Sequence, residues 1–397
     1  MTDIATRVDA LLPALIALRR ELHTHPELGF KEVQTARRIE EQLRRIPGIR
    51  MRTGLAGTGI VATFGADKPG PCIALRAELD ALPIQEQSGL PYASTQPGVM
   101  HACGHDGHMA CLVGAALVLG QIQDELPGPV KFVFQPAEEM LGGALRMIAA
   151  GALEQPAVAA MFGCHCYAEA GLACGGIGVT SGPALAADCH IDIEVRGMGT
   201  HASAPHLAVD PILTGARIVS ALQALITRGE DPLASVALSI TQFNAGVTRN
   251  VISDRAVLSG TLRILAPERI EAALARVRRI AEETAAAAGA TVAVRTQLSY
   301  PVLVNDPACA YAVVRAARTL LPDAQVQPQF PPLMVSEDFA YYAQRVPAAL
   351  WFVGLREAAA AAPGLHHPQF DFNDAVIKPV VMLHCGIARQ AGKPVRQ

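Results

Sequence analysis

The stretch "CHIDIEVRG", residues 189–197, marks a change in the rhythm of the chain, and this change indicates how its domains are organised. Before it, short apolar runs alternate with helical patterns. From it onward the segments are typical of a strand, a helix, two strands, a helix and a strand, over 189–197, 210–228, 235–243, 256–265, 267–289 and 291–300. The order β-α-β-β-α-β is the split unit of ferredoxin-like domains. We therefore predict an inserted α+β domain over residues 184–299.

The chain on either side of the insertion carries the pattern of an α/β domain. Mostly apolar runs predict strands at 59–65, 72–80, 130–135 and 158–165, and the pattern resumes after Pro301 with a helix near 310–321 and a strand at 348–354. Because helical patterns separate these strands, we expect a mostly parallel sheet covered by helices on both faces. The fold class is thus α/β, with one discontinuous domain formed by residues 1–183 and 300–397.

Composition excludes several classes of protein. The 397 residues are 51% hydrophobic and 17% charged, and the net charge of −3 comes without a basic stripe, so we expect no nucleic-acid partner. No apolar run approaches the roughly 18 residues of a membrane-spanning helix, and charges interrupt the N-terminal helical pattern, unlike a signal peptide. The nine cysteines form no disulfide-like framework, so we interpret them as thiols or metal ligands in a cytoplasmic protein.

The stretch "MHACGHDGH", residues 100–108, concentrates side chains that are costly to bury unpaired. Cys103 and His105 are ligands suited to Zn²⁺, Mn²⁺ or Co²⁺, in a predicted loop before an apolar helix at 107–119. A Cys-x-His pair alone is not specific, and a satisfied polar cluster at a helix start is the alternative.

Polar residues at the ends of three predicted strands strengthen the metal interpretation. Glu78 and Asp80 end one strand, Glu138 and Glu139 follow another, and His165 ends a third. Sites in open α/β sheets form beyond the carboxyl ends of the strands. Singly, the glutamates are typical of a solvated helix start and the histidine of a core residue, but together they indicate a site. One carboxylate of an adjacent pair can bind metal while its neighbour handles a proton, which predicts metal-assisted hydrolysis.

Nine motifs occur in an order that resembles one enzyme family: "RRELHTHPELGFKE", "ALRAELDALPI", "MHACGHDGHMA", "FQPAEEMLGGA", "GTHASAPHLAVDPI", "NVISD", "GTLRIL", "SEDFAYY" and "LHHPQFDFND". The chain is similar to metal-dependent amidohydrolases of the aminoacylase and carboxypeptidase family, above all to the hippurate hydrolase and indole-acetyl-amino-acid hydrolase branch. The family's fold matches the split α/β domain with its insertion.

The resemblance implies a site with two divalent metal ions. The positions that match its metal ligands are Cys103, His105, Glu139, His165 and His366, with Cys103 at the bridging position. Glu138 matches the general base that takes a proton from water and passes it to the leaving nitrogen, and Asp80 matches a residue that orients a ligand. In "LHHP", His366 rather than His367 fits the family's His-x-Pro pattern.

The resemblance also assigns roles within the inserted domain, which would serve as a dimerisation and lid domain. His201 matches a histidine that stabilises the oxyanion in the partner's site of a dimer. Asn250 and Arg263 match residues that hold the substrate's α-carboxylate. We therefore expect a homodimer or higher homo-oligomer.

Two positions depart from the branch. Glu78 stands where aspartate is usual, and we expect it to alter a contact behind a ligand or the floor of the pocket. It is also a candidate receptor for the amine of a dipeptide substrate. Ser336 stands where glycine is frequent, which would affect the conformation of its loop.

The sequence thus predicts an amidohydrolase that cleaves N-acyl amino acids to a carboxylic acid and a free amino acid. A dipeptidase or carboxypeptidase using the same metal chemistry is the close alternative. A binding protein that has lost catalysis is disfavoured because Glu138 and all five predicted ligands are present. A thiol redox protein, suggested by "CHC" at 164–166, is weaker still.

Overall fold

The computed structural model describes residues 4–139, 142–229, 235–321, 324–356 and 363–390. The chain divides into two compact units. The α/β unit comprises Met1–Gly182, Val304–Pro331 and Asp338–Gln397, and the inserted unit comprises Pro183–Leu303 and Pro332–Glu337. The second segment of the inserted unit was not predicted from sequence. It is held there because the amide of Ala186 donates to the carbonyls of Leu333 and Val335 at 3.1 and 3.0 Å.

Helices and strands are interspersed along the described chain. The first part of the α/β unit contains α1 (Ile4–Thr24), α2 (Val33–Leu43), β1 (Arg50–Leu55), β2 (Gly59–Phe64), β3 (Cys72–Glu78), α3 (His105–Gly120), β4 (Val130–Gln135), α4 (Gly143–Ala149), β5 (Val158–Tyr167) and β6 (Ile177–Gly178). There follow β7 (Gly182–Leu185), β8 (Ala187–Arg196), β9 (Thr200–His201), α5 (Pro211–Gly229), β10 (Val236–Ala245), β11 (Val251–Ile252), β12 (Arg255–Ile264), α6 (Ile270–Ala287), β13 (Thr291–Tyr300) and β14 (Leu303–Asn305). The chain ends with α7 (Pro307–Leu320), β15 (Val326–Gln327), α8 (Ala340–Ala343), β16 (Ala348–Gly354) and α9 (Ile377–Gln390).

The α/β unit is built on an eight-stranded sheet with the order β1-β2-β4-β3-β5-β16-β6-β15. The central strands β4, β3, β5 and β16 run parallel, whereas β1-β2, β2-β4 and β16-β6 are antiparallel pairs. This arrangement confirms the predicted, mostly parallel sheet. Every residue of β2, β3, β4 and β16 is buried, which explains why these strands are continuous apolar runs rather than alternating ones.

The inserted unit has the predicted ferredoxin-like arrangement. Its four long strands form an antiparallel sheet of order β10-β12-β8-β13, and α5 and α6 pack on each other and on this sheet. In β12 exposed or half-buried positions alternate with buried ones, as expected of a sheet with one face on the core.

Within the described ranges, no helix is both long and apolar enough to cross a membrane.

The parallel register brings the ends of three strands to one edge of the large sheet. Glu78 in β3 is opposite Gln135 in β4, and Arg76 in β3 is opposite Gly163 in β5. Side chains that follow these positions therefore share that edge.

Helix α3 begins earlier than the sequence indicated. The prediction put His105 in a loop before a helix at 107–119, but α3 begins at His105 and only Cys103 precedes it. Gly104 makes this start possible with a left-handed φ of 81°, a conformation that favours glycine.

Candidate metal centre

Ligand atoms of six predicted residues cluster at the sheet edge in the α/β unit. Within each of three sets, the atoms lie within 4.8 Å of one another; the sets are Cys103, His105 and His165, then Cys103, Glu139 and His366, then His105, Glu138 and Glu139. The structure thus brings together all five predicted ligands and the predicted base. Cys103, His105 and Glu139 each belong to two of the three sets, so the sets form one continuous cluster.

Separate elements deliver these side chains. Cys103 and His105 flank the start of α3, Glu138 and Glu139 follow β4, and His165 lies in β5. His366 comes from the chain before α9, with a left-handed φ of 61°, and its amide donates to the carbonyl of Ala102 at 2.8 Å.

Two histidines are oriented by hydrogen bonds on the far side of the ring. Nδ1 of His105 donates to the carbonyl oxygen of Asp80, and Nδ1 of His165 to that of Cys166, each at 2.8 Å. In the neutral form of each ring, Nε2 therefore carries the lone pair that a metal ion needs. Nε2 of His105 is buried without a hydrogen-bond partner among the described residues, and Nε2 of His165 lies 3.5 Å from Sγ of Cys103.

Hydrogen bonds and short contacts also position the carboxylates of the cluster. Oδ2 of Asp80 accepts from the amide of Glu139 at 2.9 Å, while its Oδ1 lies 3.3 Å from Nδ1 of His105, so Asp80 contacts two predicted ligands. Oε2 of Glu138 lies 4.0 Å from Nε2 of His105. Nε2 of His366 lies 3.1 Å from Oε1 of Glu139.

The electrostatics of the cluster are those of a buried anionic site. Burial disfavours the charged form of His105, but the hydrogen bond to Asp80 and nearby carboxylates outweigh it and raise the pKa to about 10. Burial also opposes ionisation of Glu139, yet His366 and His105 lower its pKa. Burial, and then the charge of Glu139, raise the pKa of the Cys103 thiol well above its usual range.

These residues fit divalent metal ions. Thiol sulfur, imidazole nitrogen and carboxylate oxygen are the donor set of Zn²⁺ and related ions. A cation would balance the buried carboxylates, would favour the thiolate of Cys103, and would give the unpartnered Nε2 of His105 a partner.

Glu78 lies behind the cluster and not in a substrate pocket. Its side chain is fully buried, one oxygen is bound by Arg76, and the other accepts from Nδ1 of His108 at 2.8 Å. Nε2 of His108 in turn accepts from the amide of Cys166 at 2.9 Å. Because both oxygens of Glu78 are engaged, the interpretation of Glu78 as a receptor for a substrate amine is wrong.

The three site residues predicted in the inserted unit fall in two places. His201 in β9 pairs with Val251 in β11, and the amide of Ala202 donates to the carbonyl of Asn250 at 2.9 Å, so the segments of His201 and Asn250 are adjacent. The imidazole of His201 is exposed, and its Nδ1 lies 2.7 Å from Oγ of Ser203.

Arg263 lies apart from that pair, on β12. Its Nη1 donates to the carbonyl of Met334 at 3.2 Å and to Oγ of Ser336 at 3.0 Å, and its Nη2 lies 3.8 Å from Oδ1 of Asp188. Ser336 thus gives the guanidinium a side-chain partner that a glycine could not provide.

The cysteines and one buried glutamate bear on the remaining sequence predictions. All nine cysteines are free thiols, so Cys164 and Cys166 form no disulfide and the redox interpretation gains no support.

Sequence reasoning missed Glu32, which is fully buried and accepts from the amide of Ala137 at 2.9 Å. Its position just before the amphipathic α2 is typical of an exposed helix start, so no local signal indicated burial.

Comparison with known proteins gives the class. Residues 74–390 match the model of peptidase family M20/M25/M40. The chain belongs to this family and is a metal-dependent hydrolase of amide bonds, which confirms the family resemblance and the predicted enzyme class.

Individual relatives are close over most of their length. The chain is 38% identical to N-acetylcysteine deacetylase of Bacillus subtilis over 368 residues, 91% of this chain and 93% of the deacetylase. It is 35% identical to IAA-amino acid hydrolase ILR1-like 4 of Arabidopsis thaliana over 381 residues, 94% of this chain and 84% of that one. Among solved structures, Bacillus subtilis YXEP, a dinuclear metal binding peptidase from the M20 family, matches with a TM-score of 0.82 and 35% identity, covering 96% of this chain and 98% of its own.

Proposed function

We propose that the protein hydrolyses the amide bond of N-acyl amino acids, releasing a carboxylic acid and a free amino acid. Two divalent ions would be held by Cys103, His105, Glu139, His165 and His366. The observation that carries the proposal is the convergence of all five predicted ligands on one buried cluster, with Glu138 beside them. The names of the deacetylase and of the IAA-amino acid hydrolase support this substrate class.

Each residue then has a defined task. When bound, the metal ions supply Lewis-acid polarisation of the amide carbonyl and acidify a water molecule. Glu138 accepts the proton of the attacking water and delivers it to the leaving nitrogen. Its side chain is only 8% exposed, which keeps competing water from the carboxylate. Asp80 keeps His105 and Glu139 in position because it contacts both of them.

The inserted unit would supply the remaining groups. The planar fork of Arg263 suits the substrate's α-carboxylate, and Ser336 limits the directions in which the guanidinium can turn. Because Asn250 lies beside His201 and apart from Arg263, it would reach that carboxylate only together with His201, in the site of a partner subunit. The exposed imidazole of His201 would stabilise the oxyanion in a partner subunit.

A homodimer formed through the inserted unit accords with its surface. Strand β10 lies at the edge of its sheet, and an unpaired edge strand is a template for a second copy. Exposed apolar side chains occur on β10, on α5, on β11 and in the turn before β11, where Val247 is 97% exposed; the others are Ile212, Leu213, Phe243 and Val251. The identity of the metal ion stays open between Zn²⁺, Mn²⁺ and Co²⁺. The cytoplasmic location stays a prediction.

A dipeptidase or carboxypeptidase is the second candidate because the family is a peptidase family. The engagement of both Glu78 oxygens removes one proposed receptor for a free amine and so favours acylated substrates.

The test is a panel of N-acyl amino acids and dipeptides. The protein is assayed as purified, after chelation, and after reloading with Zn²⁺, Mn²⁺ or Co²⁺. We expect release of amino acid that chelation abolishes and metal restores. Glu138→Gln should lose it by a factor of at least about 10² while binding the same amount of metal. Glu41→Gln, at an exposed position on α2, serves as the control. Full activity of Glu138→Gln would refute the proposal.

A further inference from the structure

The turn that carries Glu138 is held on both sides by buried carboxylates. The amide of Ala137 donates to Oε1 of Glu32, and the amide of Glu139 donates to Oδ2 of Asp80, each at 2.9 Å. The peptide group between Pro136 and Ala137 and the one between Glu138 and Glu139 are therefore anchored by separate parts of the chain. Asp80 also contacts the predicted ligand His105, whereas the carboxylate of Glu32 binds the turn itself.

The backbone of this turn is strained at Ala137. Its φ of 52° lies in the left-handed region, which costs a residue with a Cβ about 1–2 kcal/mol. Such a conformation persists only where the surroundings enforce it. Tight packing contributes, because a Cβ placed on Gly143 would lie 1.9 Å from the carbonyl oxygen of Pro136 and 2.8 Å from that of Ala137.

The side chain of Glu32 is buried against the turn that carries Glu138. It is fully buried, and its second oxygen, Oε2, accepts from Oγ1 of Thr58 at 2.7 Å. Burial raises its pKa, and the hydrogen bond from Thr58 acts in the opposite direction. The amide of Ala137 and the hydroxyl of Thr58 are both neutral donors, so burial of the carboxylate costs free energy that these hydrogen bonds only partly offset.

We propose that Glu32 is a positioning residue for the reaction. By fixing the amide of Ala137 in the left-handed turn, it sets the direction in which the side chain of Glu138 leaves the backbone, and thus where proton transfer occurs. This inference rests on the proposed role of Glu138 as general base. A displacement of about 1 Å at a reacting group can lower the rate about 10²-fold.

The same segment offers a matched control. Oε2 of Glu27 accepts from the amide of Thr35 at 2.7 Å and from its Oγ1 at 2.9 Å, so Glu27, like Glu32, binds one backbone amide and one threonine hydroxyl. Its partners lie in α2 and not at the metal centre. Glu32→Ala and Glu27→Ala therefore remove the same kinds of hydrogen bond at two different places.

The experiment compares kcat, KM and metal affinity in these variants. We expect Glu32→Ala to lower kcat about 10²-fold with KM and the dissociation constants of Zn²⁺ nearly unchanged, because Asp80 still holds the amide of Glu139. Glu27→Ala should leave kcat within about twofold. A loss of metal parallel to the loss of kcat would overturn the inference, as would an unchanged kcat.

A double variant distinguishes a loss of rate that acts through Glu138 from a loss caused by disruption of the fold. In a Glu138→Gln background, adding Glu32→Ala should change the residual turnover by less than about twofold, because residues that act through one group are not additive. If the double variant instead shows the product of the two single-variant losses of turnover, the positioning role of Glu32 is refuted. If Glu32→Ala does not fold, Glu32→Asp keeps the charge but is shorter, and an unchanged kcat in that variant would refute the inference equally. Full activity of Glu138→Gln alone would instead refute the proposed function.

Discussion

Nε of Arg19 lies 2.8 Å from Oδ2 of Asp106, and neither side chain is exposed to solvent. Asp106 follows the predicted ligand His105, and Arg19 also donates to Asp371, five residues after His366. The guanidinium further lies 5.1 Å from the ring centroid of Tyr92. One arginine of α1 thus joins the two chain segments that supply ligands from α3 and from the region before α9.

Removing Arg19 should destabilise the protein far more than removing its neighbour. Arg19→Met leaves Asp106 buried without its main cationic partner, and breaking such a pair costs about 3–5 kcal/mol of the free energy of unfolding. Arg20 pairs with Asp374 at 2.8 Å but is 47% exposed, so Arg20→Met should cost less than about 1 kcal/mol. Urea unfolding of both variants measures the difference. Equal losses would show that burial of the pair is unimportant.

The stability contributed by His23 should disappear at high pH. Burial opposes its protonation, but the charge and hydrogen bond of Asp106 and the hydrogen bond to Glu86 outweigh burial and the repulsion from Arg19, and raise the pKa from 6.5 to about 9. A pKa raised on folding stabilises the folded state fully below pH 6.5, and this contribution is lost as pH rises through 9.

The measurement is the free energy of unfolding of the wild type and of His23→Gln at pH 6, 7.5 and 9.5. The difference between the two proteins should be largest at pH 6 and shrink by a few kcal/mol at pH 9.5, since one pKa unit corresponds to about 1.4 kcal/mol. A difference that does not change with pH would contradict the interpretation.

Gly104 should be indispensable to the metal centre for a steric reason. An added Cβ would lie 2.6 Å from Sγ of Cys166, and the left-handed φ of 81° disfavours alanine in any case. Gly104→Ala should therefore displace Cys103 and His105, and we expect the affinity for Zn²⁺ to fall about tenfold or more.

Gly89→Ala is the control for backbone strain alone. Its φ of 71° is also left-handed, but a Cβ there would have no neighbour within 4 Å. It should lose about 1–2 kcal/mol of stability while binding metal as the wild type does. Competition with a chelating indicator distinguishes the two outcomes, and equal metal affinities in both variants would exclude the steric explanation.

The order and kind of the main elements follow from the amino-acid sequence alone. Apolar runs without alternation predict fully buried strands, and the helical and twofold periodicities of 184–299 predict the ferredoxin-like insertion, because each pattern reflects which faces of an element are buried. The candidate ligands follow as well, since polar side chains at three strand ends must share one edge of a parallel sheet.

The partner of each buried polar group, in contrast, depends on how distant segments pack. Glu78 binds Arg76 and His108 rather than facing a pocket, and Glu32 reaches Ala137 across 105 positions of sequence. Periodicity encodes that a side chain turns inward, but it does not encode the group that the side chain meets. The charged residues 19 and 32 of "RRELHTHPELGFKE" are therefore interpretable only in the fold, where burial forces each to find a partner of opposite charge or a hydrogen-bond donor.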